Sequence, residues 1–569
     1  MRLIKFSVTN YKVFEKTFTI EFSKDSIVIL TGRNNTGKST ILEAINCFFQ
    51  KESKAKTIPS DCFSKRDKEI VLEAVFESDD ENKITIVKKY KDGATPRFFD
   101  ENDIEIKNNH ELKDTLSKIL DNKPFYITPY MLPDDINELI QNIYSEIIKN
   151  DLEKLEELNE DNELEKEMRE LASEYNKIKK SYPEFLKKLK SNTDKILEQV
   201  SMDVTNHLQT LFGNDHLSLK VIGGETEGFS VNDILKSTNS RINVSSKNKP
   251  DMPLSNQGTG LQRMSLIYLI QNMIEKKMLG QNENKLLLID EPEAFLHPEA
   301  VRALSQSLYK IGQRMPLMIS THSPILIDLS ERHTSIQVFR VNEEEAIQLY
   351  KSTSDQFDED DIKNMKILNY VDSYVNEFFF TDKIIIVEGD TEYIAFKHFA
   401  KRKNVNLHII RARGKSTIRT LMKILNQFNA DYDVLHDIDN DPKRSSSDLK
   451  KQLTNCKEIF KLKENRNVRI FCSIPNFEGA IGIGNISNAK KTQTIYKILH
   501  DEFDKEEFAN ARKIIESLFE QIINREEAAL DGGFRQICAC QDYDDLFKEL
   551  ISNCQEDEKE SEETVGSYR

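Results

Sequence analysis

Hydrophobic and polar positions alternate through residues 1–30: Leu3, Lys5 and Ser7 begin the pattern and Phe14 to Phe22 repeats it. This period of two predicts two or three strands. An unbroken apolar run, Ile27 to Leu30, then suits a buried strand. After it, Ile41, Leu42, Ile45, Phe48 and Phe49 fall on one stripe at helical spacing, predicting a helix over 40–49. Strand-like text returns at 69–75 and 84–87, with Asp92-Gly93 as a turn before Arg97-Phe98-Phe99, and at Pro124 to Pro129. From Asp134 to Phe212 glycine disappears, and Leu152, Leu155, Leu158, Leu164, Met168 and Leu171 recur at near-helical spacing. We expect a helical insert there, a hairpin or small bundle broken at Pro183. Its alternating charges from Glu153 to Arg169 read as a solvated face, and its leucine rows could form a dimer seam. Two further apolar strands follow, at 285–289 and 317–319. A second series of buried strands lies at 383–387, 407–411, 432–438 and 469–474. The tail, 502–568, reads as helices with an acidic end.

Composition narrows the class. The chain has 569 residues, 38% of them apolar and 31% charged, with a net charge of −16. That length accommodates roughly three or four domains. No apolar run reaches the about eighteen residues of a membrane span, and the N-terminus lacks the apolar block of a secretion signal. Seven scattered cysteines, with no histidine cluster beside Cys538-Ala539-Cys540, argue against a zinc module and for reduced thiols in the cytoplasm. A nucleic-acid partner must be held by local basic groups and metal ions, because the overall field repels it.

Candidate chemistry begins at Gly32-Arg33-Asn34-Asn35-Thr36-Gly37-Lys38-Ser39-Thr40, a G-x-x-x-x-G-K-S phosphate loop between a strand and a helix. Gly32 and Gly37 let successive N–H groups, those of Asn35 and Thr40 among them, face one phosphate. Lys38 reaches the β- and γ-phosphates, and the Ser39 hydroxyl ligates Mg²⁺. Leu286 to Ile289 delivers Asp290 and Glu291 to a strand end, where α/β sheets bind ligands. Asp290 would hold Mg²⁺ through water and Glu291 would polarise the attacking water. Leu317 to Thr321 brings His322 toward the γ-phosphate.

These motifs, with Ser255-Asn256-Gln257-Gly258-Thr259-Gly260 before a helix and Leu296-His297-Pro298 after the acids, lie in this order around a helical insert. The arrangement resembles the ABC-type ATPases of the RecF, SMC and Rad50 group. The resemblance implies an ATP-closed dimer in which Ser255, Gly258 and Gly260 of one protomer contact the γ-phosphate held by another. The segment departs from the strict L-S-G-G-Q form, and Gln141 is the candidate Q-loop residue.

In the second half acids stand at strand ends, except that the strand at 407–411 leads into a basic turn, Arg411 to Lys415. Glu388 follows Ile384 to Val387, and Glu392 lies one helical turn later, able to face the same point. Asp437 and Asp439 form a D-x-D on one side of a strand. Glu478 follows the strand at 469–474. Clustered carboxylates without cysteine or histidine suit Mg²⁺ or Mn²⁺, and two such ions suit displacement at a phosphodiester.

V-E-G-D-T-E (387–392), R-G-K (413–415), H-D-I-D (436–439) and F-E (477–478) resemble the Toprim domain. An ABC ATPase with a helical insert followed by Toprim resembles the OLD (overcoming lysogenization defect) nucleases, with Gabija sharing the layout. The resemblance implies that Glu388, Glu392, Asp437, Asp439 and Glu478 bind two metals and that Lys490 or Lys491 stabilises the transition state. It also implies that Ser473 approaches a metal and that Arg411, Arg413 and Lys415 grip a DNA backbone.

The expected fold class is α/β. Residues 1–133 and 213–350 form the ATPase, 134–212 a helical insert that dimerises, 351–380 a linker, 381–500 the Toprim domain and 501–569 a helical region. The expected activity is a metal-dependent DNA endonuclease gated by an ATP-bound dimer or tetramer, in antiphage defence. It uses ATP with one Mg²⁺, two Mg²⁺ or Mn²⁺ ions at the Toprim site, and an operon partner: a UvrD-like helicase, or a reverse transcriptase with its multicopy single-stranded DNA. The alternative is an ABC-type repair or signalling ATPase with a non-catalytic Toprim domain.

Overall fold

The structure, a computed structural model, describes residues 2–22, 27–50, 58–78, 81–107, 110–132, 134–144, 167–222, 241–246, 249–276, 285–329, 336–341, 345–351, 357–371, 375–381, 383–427, 430–441, 444–463, 467–484, 486–501, 505–525, 529–548 and 550–552. It divides into two compact units, residues 1–326 with 335–346 and residues 327–334 with 347–569. Among the described residues no helix is long and apolar enough to cross a membrane.

In the first unit, β1 (Arg2–Thr9), β2 (Phe18–Glu21), β4 (Ile70–Glu77), β5 (Lys83–Tyr90) and β6 (Arg97–Phe99) form an antiparallel sheet in the order β2-β1-β4-β5-β6. Beside it runs a six-stranded sheet whose parallel strands follow in the order β13-β3-β12-β11-β7. These parallel strands are β3 (Ile27–Thr31), β7 (Phe125–Ile127), β11 (Leu287–Asp290), β12 (Leu317–Ser320) and β13 (Ile336–Val341). Helix Lys38–Phe49 contributes the stripe read from the sequence: Ile41, Leu42, Ile45 and Phe48 are buried in a core shared with Phe6, Leu30, Leu72 and Phe76.

One feature of that core carries no periodic signal. Lys88, on β5, is fully buried. Its ammonium donates to the carbonyls of Cys47 and Gln50, each at 2.8 Å, closing the C-terminal end of helix Lys38–Phe49 where unsatisfied carbonyls and the helix dipole favour a cation.

The helical insert departs from expectation. Helix Glu167–Phe212 is continuous through Pro183. A proline removes one i→i−4 bond, and a helix can bend around that loss without ending. Its C-terminal half is anchored by the buried side chains of Leu197, Val200, Val204 and Leu208. Leu152, Leu155, Leu158 and Leu164 lie outside the described residues. Residues 213–253 carry a three-stranded sheet that the sequence pattern did not reveal, β10-β9-β8, built from β8 (Ser218–Ile222), β9 (Arg241–Ser246) and β10 (Lys249–Pro253). Ser201 Oγ accepts from Val221 N at 3.0 Å and Thr205 Oγ1 from Leu219 N at 2.9 Å, so helix side chains satisfy the edge of β8.

The chain makes its last passage from the first unit to the second at β14 (Ala346–Lys351). The second unit holds β15 (Ile384–Val387), β16 (His408–Arg411), β17 (Tyr432–Asp437), β18 (Arg469–Ser473) and β19 (Phe534–Ile537) in the order β16-β15-β17-β18-β19. The first four are parallel and β19 is antiparallel to β18. The tail is therefore not all helix. Arg469 and Asp433 form a buried two-pronged pair between β18 and β17, at 2.8 and 2.9 Å.

Candidate functional sites

The phosphate loop connects β3 to helix Lys38–Phe49. Gly37 has φ +103, and a Cβ there would lie 2.3 Å from Phe14 Cζ, so both conformation and space demand glycine. Gly32, at φ +138, is closed by the Val341 carbonyl in the same way. Asn35 also adopts a left-handed φ of 64. Lys38 is buried, and its ammonium donates to the carbonyls of Gly32 at 3.2 Å and Arg33 at 2.7 Å. Burial holds its pKa below the ordinary lysine value. Thr40 lies buried on the first turn of the helix.

Parallel register places the ends of β11, β12 and β3 side by side, with Asp290 opposite Ser320 and Ser320 opposite Leu30. Ser39 Oγ donates to Asp290 Oδ1 at 2.8 Å, and Ser320 Oγ donates to the same oxygen. Burial raises the Asp290 pKa against these two donors, a cost that a bound cation would offset. Glu291 follows in a left-handed conformation, φ 43, with its carboxylate 3.8 Å from His322 Nε2. Burial first, then the Lys38 charge, lowers the His322 pKa.

Two residues to which the sequence assigned no role organise this corner. Glu293 accepts from Thr321 Oγ1 and from His322 N, both at 2.7 Å, and so fixes the turn that presents His322. Arg263, on helix Thr259–Glu275, donates to the carbonyls of Glu291 at 2.6 Å and Ala294 at 3.0 Å. The segment I-D-E-P-E held the signal for Glu293, an acid two residues beyond the pair assigned to chemistry.

The Ser255–Gly260 segment opens helix Thr259–Glu275. Gln262 Nε2 donates to the Ser255 and Gln257 carbonyls at 3.0 and 2.8 Å, fixing its shape. A Cβ on Gly260 would come within 3.1 Å of the Phe295 carbonyl, whereas one on Gly258 would meet nothing within 4 Å.

In the second unit the carboxylates gather at the C-terminal ends of the parallel strands. A cleft of about 380 Å³ is lined by Glu388, Glu392, Asp437, Glu478, Arg413 and Lys491, among others. Glu388 Oε2 accepts from Asp437 N at 3.0 Å, tying the ends of β15 and β17 together. Glu392, one turn into helix Asp390–Arg402, is 2% exposed and accepts from Thr391 Oγ1 at 3.0 Å. Asp437 accepts from Ser473 Oγ. Burial first, then neighbouring carboxylates, pushes the Glu392 pKa up to about 7 and raises that of Asp437. Burial raises Glu388 as well, although Lys415 opposes it. Lys491 Nζ lies 2.8 Å from Glu478 Oε2 inside the cleft, whereas Lys490 is exposed and does not line it. Among the described residues no three His, Cys, Asp or Glu side chains are already drawn into a ligand set. The acids share a cleft, not a point.

Two expectations are corrected here. Strand alternation does not place Asp439 beside Asp437: β17 stops at Asp437, and Asp439 has a left-handed φ of 59. It faces Lys415 Nζ at 2.5 Å and Arg444 Nη2 at 3.2 Å. Lys415 does not reach out to a nucleic-acid backbone. It is 7% exposed, sits 3.8 Å from Glu388 Oε2, and serves as a buried counter-charge for the acids. Arg411 turns to Asp390 at 2.6 Å and lies over the Tyr393 ring, which leaves Arg413 as the arginine at the cleft. Ser473 is fully buried and acts on the Asp437 carboxylate.

The donor set fits hard divalent cations. Every candidate ligand is an oxygen, and burial raises the pKa of Glu388, Glu392 and Asp437, so a bound cation would favour their charged forms.

Comparison with known proteins agrees with both halves. The family described as AAA ATPase domain matches residues 1–188 and 131–327, and the overcoming lysogenization defect protein-like TOPRIM domain matches residues 379–439. The chain is similar to the Old nuclease of Escherichia phage P2, 24% identical over 476 residues and covering 77% of each chain. It is also similar to the endonuclease GajA of Bacillus cereus strain VD045, 24% identical over 416 residues and covering 70% of this chain and 67% of that one. Among solved structures, the Smc head domain of Pyrococcus furiosus bound to the C-terminal domain of ScpA aligns over 65% of this chain and 99% of its own, at 17% identity and a TM-score of 0.40. The chain therefore belongs to the AAA ATPase domain family, whose match spans residues 1–327, and carries in its second unit a domain similar to the TOPRIM domain of the overcoming lysogenization defect proteins.

Proposed function

We propose that this chain is a DNA endonuclease that cleaves phosphodiester bonds with two divalent ions under the control of an ATP-bound dimer, and that it serves in defence against phage. The observation that carries the reading is the meeting of Glu388, Glu392, Asp437, Glu478 and Lys491 around one cleft at the strand ends. Glu388, Glu392, Asp437 and Glu478 would hold the ions, Mg²⁺ or Mn²⁺. When bound, the ions supply charge neutralisation for the attacking and leaving oxygens. Lys491 adds a positive charge from the protein, and the Lys415 ammonium limits repulsion among the acids. Arg413 meets the incoming backbone.

In the ATPase unit, Lys38 would exchange the Gly32 and Arg33 carbonyls for the β- and γ-phosphates. Ser39 and Asp290 would hold the Mg²⁺ that accompanies ATP. Glu291 would orient the attacking water, with His322 near the γ-phosphate. Ser255, Gly258 and Gly260 would close on the nucleotide of a second copy. Nucleotide state would then govern DNA access.

The test is nicking of supercoiled plasmid with Mg²⁺ or Mn²⁺, with and without ATP. A Glu388→Ala, Asp437→Ala double variant should lose cleavage and keep ATP binding. Cleavage at the wild-type rate by that variant refutes the nuclease assignment. ATP turnover with no nicking under any metal favours the repair or signalling ATPase.

A further inference from the structure

A buried polar chain runs behind the cleft and belongs to none of the roles above. His436, the residue before Asp437, is fully buried. Its Nδ1 lies 3.0 Å from the Asp437 carbonyl oxygen and its Nε2 lies 2.7 Å from the Tyr543 hydroxyl. A carbonyl only accepts, so Nδ1 carries the proton; Nε2 of the neutral ring then accepts from Tyr543. Tyr543 is itself fully buried and packs edge-on to Phe460 at 6.4 Å.

Tyr543 comes from the C-terminal segment, more than a hundred residues beyond Asp437. That segment is fixed to the same corner elsewhere. β19 pairs with β18 in register Ser473 with Phe534, Asn440 Nδ2 donates to the Leu546 carbonyl at 3.1 Å, and Lys457 pairs with Asp544 at 2.5 Å. Asp437 is the point where β17 leaves the sheet, and beyond it the chain turns sharply into the left-handed Asp439. A backbone at a strand end has lost half its ladder, so side-chain hydrogen bonds decide its position.

We propose that Tyr543 is a positioning residue for the nuclease centre: through His436 it fixes the Asp437 main chain, and with it the direction of the Asp437 carboxylate. The C-terminal segment is thus part of the metal-binding apparatus without contributing a ligand. Orienting contacts of this kind around metal sites change metal affinity by about 10–100-fold when lost.

The inference rests on the nuclease reading, and the test separates the two. Mn²⁺ binding is measured by calorimetry on the full chain, and plasmid nicking is followed across a Mn²⁺ titration. The wild type, Tyr543→Phe, His436→Gln and the double variant are compared, with thermal melts and ATP hydrolysis run in parallel. Tyr543→Phe keeps the ring and its packing. It should melt near the wild-type temperature, hydrolyse ATP normally, and need about tenfold more Mn²⁺ for binding and half-maximal nicking. The double variant should be no worse than the poorer single, because both changes break one chain. If wild type binds Mn²⁺ and nicks DNA while Tyr543→Phe has the same Mn²⁺ dependence, the positioning role is wrong and the nuclease reading stands. If wild type neither binds Mn²⁺ nor nicks, both fail. A Tyr543→Phe that melts early yet binds Mn²⁺ normally also overturns the proposal, since its role is then structural only.

Discussion

The Lys415 ammonium lies 2.5 Å from Asp439 Oδ2, buried beneath the acid cleft. Basic residues after a strand suggest a surface that grips phosphate, but here the cation faces inward. Lys415→Met should leave Asp439 to Arg444 alone and remove the charge opposing Glu388. We expect a loss of about 2 kcal/mol, because one partner of a partly buried pair remains held. Denaturant unfolding of the two proteins measures it. Nicking should fall at least tenfold, and raised Mn²⁺ should recover part of it by replacing the missing positive charge.

Lys490 and Lys491 separate cleanly in space. Lys491 reaches Glu478 within the cleft, and Lys490 points to solvent. Lys491→Ala should reduce nicking by roughly 100-fold, the scale of one lost charge at a phosphoryl transition state. Lys490→Ala should stay within about twofold. Equal losses in the plasmid assay would contradict this assignment.

Glu392 makes the metal-free protein sensitive to pH. Its folded pKa, pushed up to about 7 by burial and then by Glu388, exceeds the ordinary carboxylate value of 4.5. The unfolded chain therefore gives up this proton first. The stability associated with the protonated side chain is present below pH 4.5 and is lost as pH rises through about 7. Metal-free wild type should melt roughly 2–5 °C lower at pH 8 than at pH 6 relative to Glu392→Gln. Mg²⁺ or Mn²⁺ should restore the wild type at pH 8. Parallel pH curves for the two proteins would show that Glu392 is not the source.

Glu293 holds His322 through a main-chain N–H and, through Thr321, a hydroxyl. Glu293→Ala would leave both buried donors without this acceptor, at a cost of about 1–3 kcal/mol each. The turn should relax and carry His322 away from Glu291. We expect ATP hydrolysis to fall at least tenfold while nucleotide affinity, set by Lys38 and the glycine loop, changes less than threefold. A fluorescent-nucleotide titration beside a phosphate-release assay distinguishes these effects.

What the sequence determined was local. The strands before the phosphate loop, the helix after it, and the acids that end or follow the strands at 287–290, 384–387 and 432–437 follow from residue periods and from glycine at Gly32 and Gly37, because those signals need only neighbours in the chain. The family followed from motif order for the same reason. The tertiary structure decided which charges face which. Lys415 turned inward, Lys491 and not Lys490 entered the cleft, Lys88 closed a helix 38 residues before it, and Tyr543 came to rest behind Asp437. A helix passed through Pro183, and four short strands, β8 to β10 and β19, formed without a clear period of their own. In each case the deciding energy is burial or a hydrogen bond between residues far apart in the chain, which no local pattern records.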